Sequence, residues 1–270
     1  MDDRLIGVFD SGLGGLTTVR ELCRLLPEED IVYFGDTGRV PYGSRSRETI
    51  VKYARQDVAF LRTFDLKAIV IACGTVSTTA LDVLAAENPI PVLGVVAPAA
   101  RAAARATRSG SIGLIGTQAS IRSGAYERLI RAENPAARVL AQPCPLFVPL
   151  VETGRFRPGD VVIETVAAEY LAPLKAAGVD TLVLGCTHYP LLEKVIGAYM
   201  GPEVRLINSG AEGARAAADC LRERDALAGP GRGSCRCFVS DRQEDFSRLA
   251  STFLGWDVAQ AVEQVDISQY

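Results

Sequence analysis

The chain has 270 residues, of which 48% are hydrophobic and 23% are charged, and its formal net charge is −3 at pH 7. This composition excludes a disordered, collagenous or coiled-coil protein, and it provides a core for one large domain or two small ones. Because the chain is acidic and has no basic stripe, we expect no nucleic acid partner.

Short apolar runs alternate with helical patterns along the chain. Strands are predicted over residues 5–10, 30–34, 68–72, 91–96, 111–115, 138–141, 181–184, 204–207 and 236–240. Helices are predicted over residues 16–26, 47–61, 78–86, 97–108, 121–133, 160–177 and 211–224. The strand segments are continuously apolar, which is typical of parallel strands covered on both faces. The pattern therefore predicts an α/β fold.

The terminal and apolar segments indicate where the protein resides. The longest apolar stretch, residues 89–100, is shorter than a membrane span and contains three prolines, so we expect no transmembrane helix and no membrane partner. The first residues, MDDRLIG, have neither the basic start nor the apolar middle of a signal peptide. We therefore expect a cytoplasmic protein whose seven cysteines are free thiols.

The chain contains two similar halves. The matching segments are IGVFDSG at 6–12 with IGLIGTQ at 112–118, and AIVIACGT at 68–75 with TLVLGCTH at 181–188. In each half a cysteine, Cys73 or Cys186, follows the matching strand, and a threonine comes within the next two residues. A shared residue order at the end of a strand is more specific than the likeness of two apolar strands.

This duplication predicts two similar parallel-sheet α/β lobes related by pseudo-symmetry. Residues 1–96 together with 208–270 are expected to form the first lobe, and residues 97–207 the second. Ligands of open parallel sheets bind outside the carboxyl ends of the strands. The active site is therefore expected in the cleft between the lobes, with one cysteine on each side.

Cys73 and Cys186 are the strongest candidates for chemistry. Each ends a strand and precedes a polar sequence that starts a helix, and a helix N-terminus lowers the pKa of a thiol. The Cys-x-Cys pair at 235–237 has no further ligands nearby in sequence and is interpreted as structural. The single histidine, His188, lies two residues after Cys186, and this position favours a place in the site.

Two other segments leave alternatives open. Asp10 either caps the following helix or points into the cleft beside Cys73, and spacing does not separate these alternatives. The loop PYGSRS at 41–46 is interpreted as a surface turn, although its backbone could reach the cleft. The glycine-rich SGLGGLT at 11–17 matches neither the dinucleotide nor the P-loop pattern, so no nucleotide is implied.

Two opposed thiols suggest a proton transfer at carbon. A thiolate can take a proton from one face of a substrate carbon while a thiol returns a proton to the other face, which inverts the centre. One thiol with one histidine would instead suggest a hydrolase or transferase that forms an acyl-enzyme. Because the α-proton of an amino acid is weakly acidic, inversion also requires preorganised donors around the substrate carboxylate.

Six segments carry a resemblance to a known family. They are residues 6–22, GDTGRVPYGSRS at 35–46, ACGT at 72–75, IGTQAS at 115–120, PLVETG at 149–154 and LGCTHYPLL at 184–192. With them the sequence resembles the glutamate racemases of the aspartate/glutamate racemase superfamily. The resemblance implies an isomerase that interconverts L- and D-glutamate for peptidoglycan synthesis. It also implies that the enzyme uses no cofactor, neither pyridoxal phosphate nor metal, and that it pairs as a homodimer.

The resemblance also assigns roles to residues. Cys73 and Cys186 match the two catalytic thiols, and Asp10, His188 and Glu152 match groups that assist them. The positions that match substrate-binding residues are Asp10, Ser11, Pro41, Tyr42, Gly43, Gly74, Thr75, Thr117, Ser120, Thr187 and His188.

Gly74 departs from the pattern, because the family motif is Ala-Cys-Asn-Thr and this chain has ACGT. Losing a hydrogen bond to a charged group costs about 1.5–3 kcal/mol. Two alternatives follow from the missing side chain. One is a racemase for aspartate or another small amino acid, and the other is a weakly active binding or regulatory homologue.

Overall fold

The computed structural model describes residues 1–256 and 262–270. Its strands are β1 (Leu5–Asp10), β2 (Ile31–Gly35), β3 (Leu66–Ile71), β4 (Val92–Gly94), β5 (Ser111–Gly116), β6 (Arg138–Pro143), β7 (Thr181–Leu184), β8 (Arg205–Asn208), β9 (Cys235–Val239) and β10 (Val262–Gln264). Its helices are α1 (Leu16–Leu25), α2 (Arg47–Leu61), α3 (Gly74–Thr79), α4 (Leu81–Glu87), α5 (Val96–Ala106), α6 (Gln118–Ser123), α7 (Ala125–Glu133), α8 (Phe147–Glu152), α9 (Val161–Ala176), α10 (Glu193–Met200), α11 (Ser209–Glu223) and α12 (Gln243–Leu254).

The strands form two parallel sheets. The first has the order β10-β9-β2-β1-β3-β4 and the second has the order β6-β5-β7-β8, and every pairing in both sheets is parallel. The run β2-β1-β3-β4 in the first sheet has the same order as the whole second sheet, so β1 corresponds to β5 and β3 to β7. The predicted pair of similar parallel-sheet lobes is confirmed.

The end of the chain extends the first sheet. Strand β9 pairs with β2, and β10 pairs with β9. Helix α11 packs against α1, which follows β1, and against α5, which leads into β5. It therefore joins the two halves of the molecule, and the residue boundaries proposed for the lobes stay a prediction.

A continuous apolar core holds the two sheets in one arrangement. Residues of β1 and β3 are almost fully buried, as their mainly apolar sequences predict. One buried cluster contains Val8 of the first sheet and Leu184 of the second, together with Leu22 on α1 and Leu171 on α9. Within residues 1–256 and 262–270, no helix combines the length and apolar character needed to cross a bilayer.

Several helices differ from the sequence prediction. The helix predicted over 78–86 is two helices, α3 and α4, that meet at Ala80, and α3 already begins at Gly74. The helix predicted over 121–133 is broken at Gly124, whose φ is 62°. A left-handed residue ends the hydrogen-bonding pattern of one helix before the next begins.

Helices α8, α10 and α12 and strand β10 were not predicted. Helix α8 has Pro149 in its first turn, where the missing N–H is tolerated because first-turn amides have no partner within the helix. Pro149 is therefore compatible with this helix.

Candidate active site

A cavity of about 380 Å³ lies between the carboxyl ends of the two sheets. Its volume falls in the usual range for sites that hold a small molecule. The chain reaches the cavity just after two pairs of equivalent strands. Ser11 follows β1 and Thr117 follows its counterpart β5, while Cys73 follows β3 and Cys186 follows its counterpart β7. The duplication thus supplies corresponding residues to both walls of one cavity.

Most of the residues predicted for the site line this cavity. They are Ser11, Pro41, Tyr42, Gly43, Cys73, Gly74, Thr75, Thr117, Glu152, Cys186, Thr187 and His188. Asp10 and Ser120 do not line it. They are each 1% exposed and contact the residues that do.

Cys73 lies in a buried, acidic environment. It is the residue that precedes helix α3, and its Sγ donates to the hydroxyl of Ser11 at 3.3 Å. Burial and the nearby Asp10 charge raise the pKa of Cys73 to about 12. The expected lowering of this pKa by the helix N-terminus is wrong, because the short helix does not offset the cost of burying a charged sulfur.

Cys186 is paired with the single histidine. Its Sγ lies 3.9 Å from Nδ1 of His188, and Nε2 of His188 lies 2.9 Å from Oε1 of Glu152. Burial opposes a charge on His188, but the hydrogen bonds to Cys186 and Glu152 outweigh it and raise the pKa of His188 to about 10. At neutral pH the ring is therefore an imidazolium between a sulfur and a carboxylate.

Asp10 supports the cavity from behind. Its carboxylate accepts the N–H of Gly12 at 3.1 Å and the hydroxyl of Thr187 at 3.4 Å. Burial raises the pKa of Asp10 despite these hydrogen bonds and the neighbouring His188. The position of Asp10 differs from both alternatives that the sequence left open. Its carboxylate holds the glycine-rich turn against Thr187 of the other lobe.

A chain of hydroxyl groups bridges the two walls. Oγ1 of Thr75 on α3 lies 3.0 Å from Oγ1 of Thr117, which in turn donates to Oγ of Ser120 at 3.0 Å. On another side of the cavity, Oγ1 of Thr17 donates to the carbonyl of Thr187 at 3.0 Å. These bonds between residues far apart in sequence hold the lobes together at the rim of the cavity.

The loop at 41–46 is anchored from below by a buried polar network. The hydroxyl of Tyr42 contacts the carboxylate of Asp36 and lies 3.1 Å from that of Asp57, and Arg39 pairs with Asp36 at 2.6 Å and with Asp57 at 2.8 Å. Tyr42 is only 1% exposed. The interpretation of this segment as a surface turn is therefore wrong for Tyr42, whose hydroxyl belongs to the network.

Sequence reasoning missed several residues that line the cavity. They are Gly12, Val40, Ser44, Gln118, Cys144, Pro145, Val148, Pro149 and Gly185. The signal that could have found part of this set is the duplication: the segment after β6 corresponds to the loop after β2, and both border the site. Gln118 directly follows Thr117, at the place where Gly12 follows Ser11.

Apart from the carboxylate of Glu152 and the ring of His188, the cavity is lined by thiols, hydroxyl groups, an amide, backbone and apolar side chains. In the part of the chain that the structure describes, no lysine or arginine lines it. A carboxylate bound there is therefore held by hydroxyl and backbone N–H donors, with His188 as the nearby cation. Such donors stabilise added negative charge without moving, which is what formation of a carbanion next to a carboxylate requires.

Residues 8–217 match the family model described as Asp/Glu/Hydantoin racemase. The chain belongs to this family. A member from Geobacter metallireducens, a glutamate racemase, is 49% identical over 93% of this chain and 93% of its own length.

Solved structures of other family members agree with the fold. A glutamate racemase isoform from Bacillus anthracis superimposes with a TM-score of 0.93 at 38% identity, covering 98% of both chains. The glutamate racemase from Francisella tularensis, solved in complex with D-glutamate, has a TM-score of 0.92 at 37% identity over 100% of both chains.

Proposed function

We propose that this protein is a glutamate racemase that inverts the α-carbon between the thiols of Cys73 and Cys186. The observation that carries the proposal is the position of the two cysteines, which follow equivalent strands of opposite lobes and line one cavity. The relatives that share nearly the whole chain are glutamate racemases, and one of them binds D-glutamate.

Substrate binding follows from the charges of the cavity. Glutamate carries two carboxylates and one ammonium group, and the neutral donors on the loop at 41–46 and on Thr75, Thr117 and Thr187 suit the carboxylates. The hydroxyl of Ser11 lies in the cavity beside Cys73 and offers an acceptor to the ammonium. A cation brought next to a buried thiol favours the thiolate, so substrate binding itself helps to form the base.

The reaction moves one proton off the α-carbon and another onto it. The thiolate of one cysteine takes the α-proton, and the electron pair left on carbon delocalises into the α-carboxylate. The thiol of the other cysteine then delivers its proton to the opposite face, which leaves that sulfur as the thiolate. The charged His188 stabilises negative charge on Cys186 whenever that sulfur lacks its proton.

The alternatives raised by Gly74 are not favoured. The relatives of high identity are glutamate racemases, and both predicted acid/base thiols are present in the cavity. An acyl-enzyme mechanism needs a single nucleophilic thiol and gives no role to a second cysteine on the opposite wall.

Exchange of the α-proton tests the proposal. In heavy water, the purified protein incubated with L-glutamate, without added pyridoxal phosphate and in the presence of a metal chelator, is expected to form D-glutamate that carries an α-deuterium. Cys73→Ser and Cys186→Ser should each reduce the rate of inversion by about 10²–10⁴-fold, which is the contribution of a general acid–base group.

Cys220→Ser is the matched control, because Cys220 is a half-buried free thiol outside the cavity. It should retain wild-type activity. Full activity in either active-site variant, or no exchange by the folded wild-type protein, contradicts the proposal.

The remaining statements about the cellular role belong to the same proposal. We expect a cytoplasmic enzyme that supplies D-glutamate for peptidoglycan. A homodimer is expected as well, and light scattering coupled to size-exclusion chromatography measures it directly against the monomer mass of 28.8 kDa.

A further inference from the structure

Two glycines bring the thiol-bearing loops into direct contact. A Cβ atom built on Gly74 would lie 2.6 Å from the backbone carbonyl oxygen of Gly185, and side chains in proteins essentially never approach a neighbour that closely. Gly74 is bonded in the chain to Cys73, and Gly185 to Cys186. The contact therefore lies beside both cysteines, between the two lobes.

The carbonyl of Gly185 has little freedom to move away. The N–H of Gly185 donates to the carbonyl of Ile115 in β5 at 2.8 Å, and a Cβ on Gly185 would lie 2.7 Å from that same oxygen. Gly185 is thus pressed against its own sheet. Any atom added to Gly74 must push the first lobe outward instead of displacing this carbonyl.

An outward push at Gly74 moves Cys73 with it. The carbonyl of Cys73 accepts the N–H of Ser77 at 2.9 Å, so the cysteine is the first link of helix α3 and shifts when the helix shifts. Thr75 on the same turn also holds Thr117 across the cavity. A side chain at position 74 would therefore widen the gap between the sulfurs and strain the hydroxyl bridge.

We propose that Gly74 is a positioning residue that sets the distance between the two catalytic thiols, and that this chain works because position 74 has no side chain. The inference rests on the proposed two-thiol racemase. It also gives the departure from Ala-Cys-Asn-Thr a physical meaning, because this backbone arrangement has no room for an asparagine side chain at position 74.

Gly74→Ala isolates the steric effect, because it adds one methyl group and no polar atom. Misplacement of a reacting group by about 1 Å can cost about 10²-fold in rate. We expect kcat to fall between about 10-fold and 100-fold in both directions, with a smaller change in KM. Gly74→Asn should lose at least as much. Gly197→Ala is the matched control, since among the described residues a Cβ there meets only Leu206, at 3.7 Å, and it should behave as wild type.

The decisive readout is a ratio that does not depend on how much of the variant folds. L-glutamate is incubated in heavy water, and α-deuterium in recovered L-glutamate is compared with the D-glutamate formed. A wider gap slows delivery of a proton from the far sulfur but leaves the near sulfur free to exchange with solvent and return a deuteron. The ratio of deuterated L-glutamate to D-glutamate should therefore rise several-fold in Gly74→Ala and stay at the wild-type value in Gly197→Ala.

The outcomes separate the two claims. An active wild type with an unchanged ratio in Gly74→Ala overturns the inference alone. Gly74→Asn with a higher kcat than wild type also overturns it, since that result would mean that the enzyme lacks an amide and not that it needs the space. A folded wild-type protein with no exchange overturns the proposed function and this inference with it.

Discussion

Removing the hydroxyl of Tyr42 tests whether the network beneath the substrate loop stabilises the protein. That hydroxyl contacts Asp36 and lies 3.1 Å from Asp57. Burial and the charge of Asp36 raise the pKa of Asp57 well above its usual value, which favours a protonated Asp57. Tyr42 then donates to the charged Asp36 and accepts from the protonated Asp57, while Arg39 balances the remaining charge.

Tyr42→Phe removes both hydrogen bonds and leaves two buried carboxyl groups short of a partner. A hydrogen bond to a charged group is worth about 1.5–3 kcal/mol, and the neutral one adds about 1 kcal/mol. We therefore expect the free energy of unfolding to fall by about 2.5–4 kcal/mol. Urea unfolding at pH 7 measures this as a lower midpoint with an unchanged m-value.

Tyr53→Phe is the matched control for this experiment. The ring of Tyr53 lies 5.4 Å from that of Tyr42 and packs against Arg39, but its hydroxyl makes no hydrogen bond within the described residues. Its loss should change the free energy of unfolding by no more than about 0.5 kcal/mol, as expected for a surface substitution. Equal stability of Tyr42→Phe and Tyr53→Phe would refute the assignment of the network.

Further predictions concern His188, a buried ion pair and a helix cap. As the only histidine, His188 gives a single imidazole NMR titration, which should fall near pH 10 and move lower in Glu152→Gln; a wild-type titration near pH 6.5 contradicts the site geometry. Because this pKa is raised on folding, its contribution to stability is complete below about pH 6.5 and is lost as the pH rises through about 10, a loss that pH-dependent thermal melting detects. Lys67→Met should lower the free energy of unfolding by about 3–5 kcal/mol, because it leaves the buried carboxylate of Glu29, 2.5 Å from Nζ of Lys67, without its cation. Adding Glu29→Gln should restore part of this stability in urea unfolding, and a double variant no more stable than Lys67→Met contradicts the pairing. Thr117→Val removes the N-cap of α6 and should lower stability by about 1 kcal/mol, whereas an unchanged midpoint contradicts the cap.

Strand positions were predictable from sequence because burial on both faces leaves a simple signature. Strands β1 and β3 are mainly apolar. The similar sequences of β5 and β7 predict a second sheet that borders the same cleft. This similarity also identified Cys73 and Cys186 without any structure. Strand positions and the residues at strand ends were predicted well, because the local sequence encodes both.

The rest depends on contacts between distant residues, which local patterns do not contain. The pKa of Cys73 depends on its burial and on the charge of Asp10, so a rule about helix ends gave the wrong direction. The hydroxyl of Tyr42 contacts Asp57 on α2, and the sequence of the loop alone does not reveal this contact. The effect of Gly74 likewise depends on Gly185, which is more than a hundred residues away in the chain.

The two sheets share the order of four strands, but the two sulfurs have different surroundings, and thermodynamics limits what that difference can do. One sulfur sits beside Ser11 and Asp10, and the other beside an imidazolium. In water the two enantiomers of glutamate have equal free energies, so at equilibrium their concentrations must be equal whatever the enzyme does. The ratio kcat/KM must therefore be identical in the two directions, and the unlike surroundings of the sulfurs can only trade tighter binding of one enantiomer for faster turnover of the other.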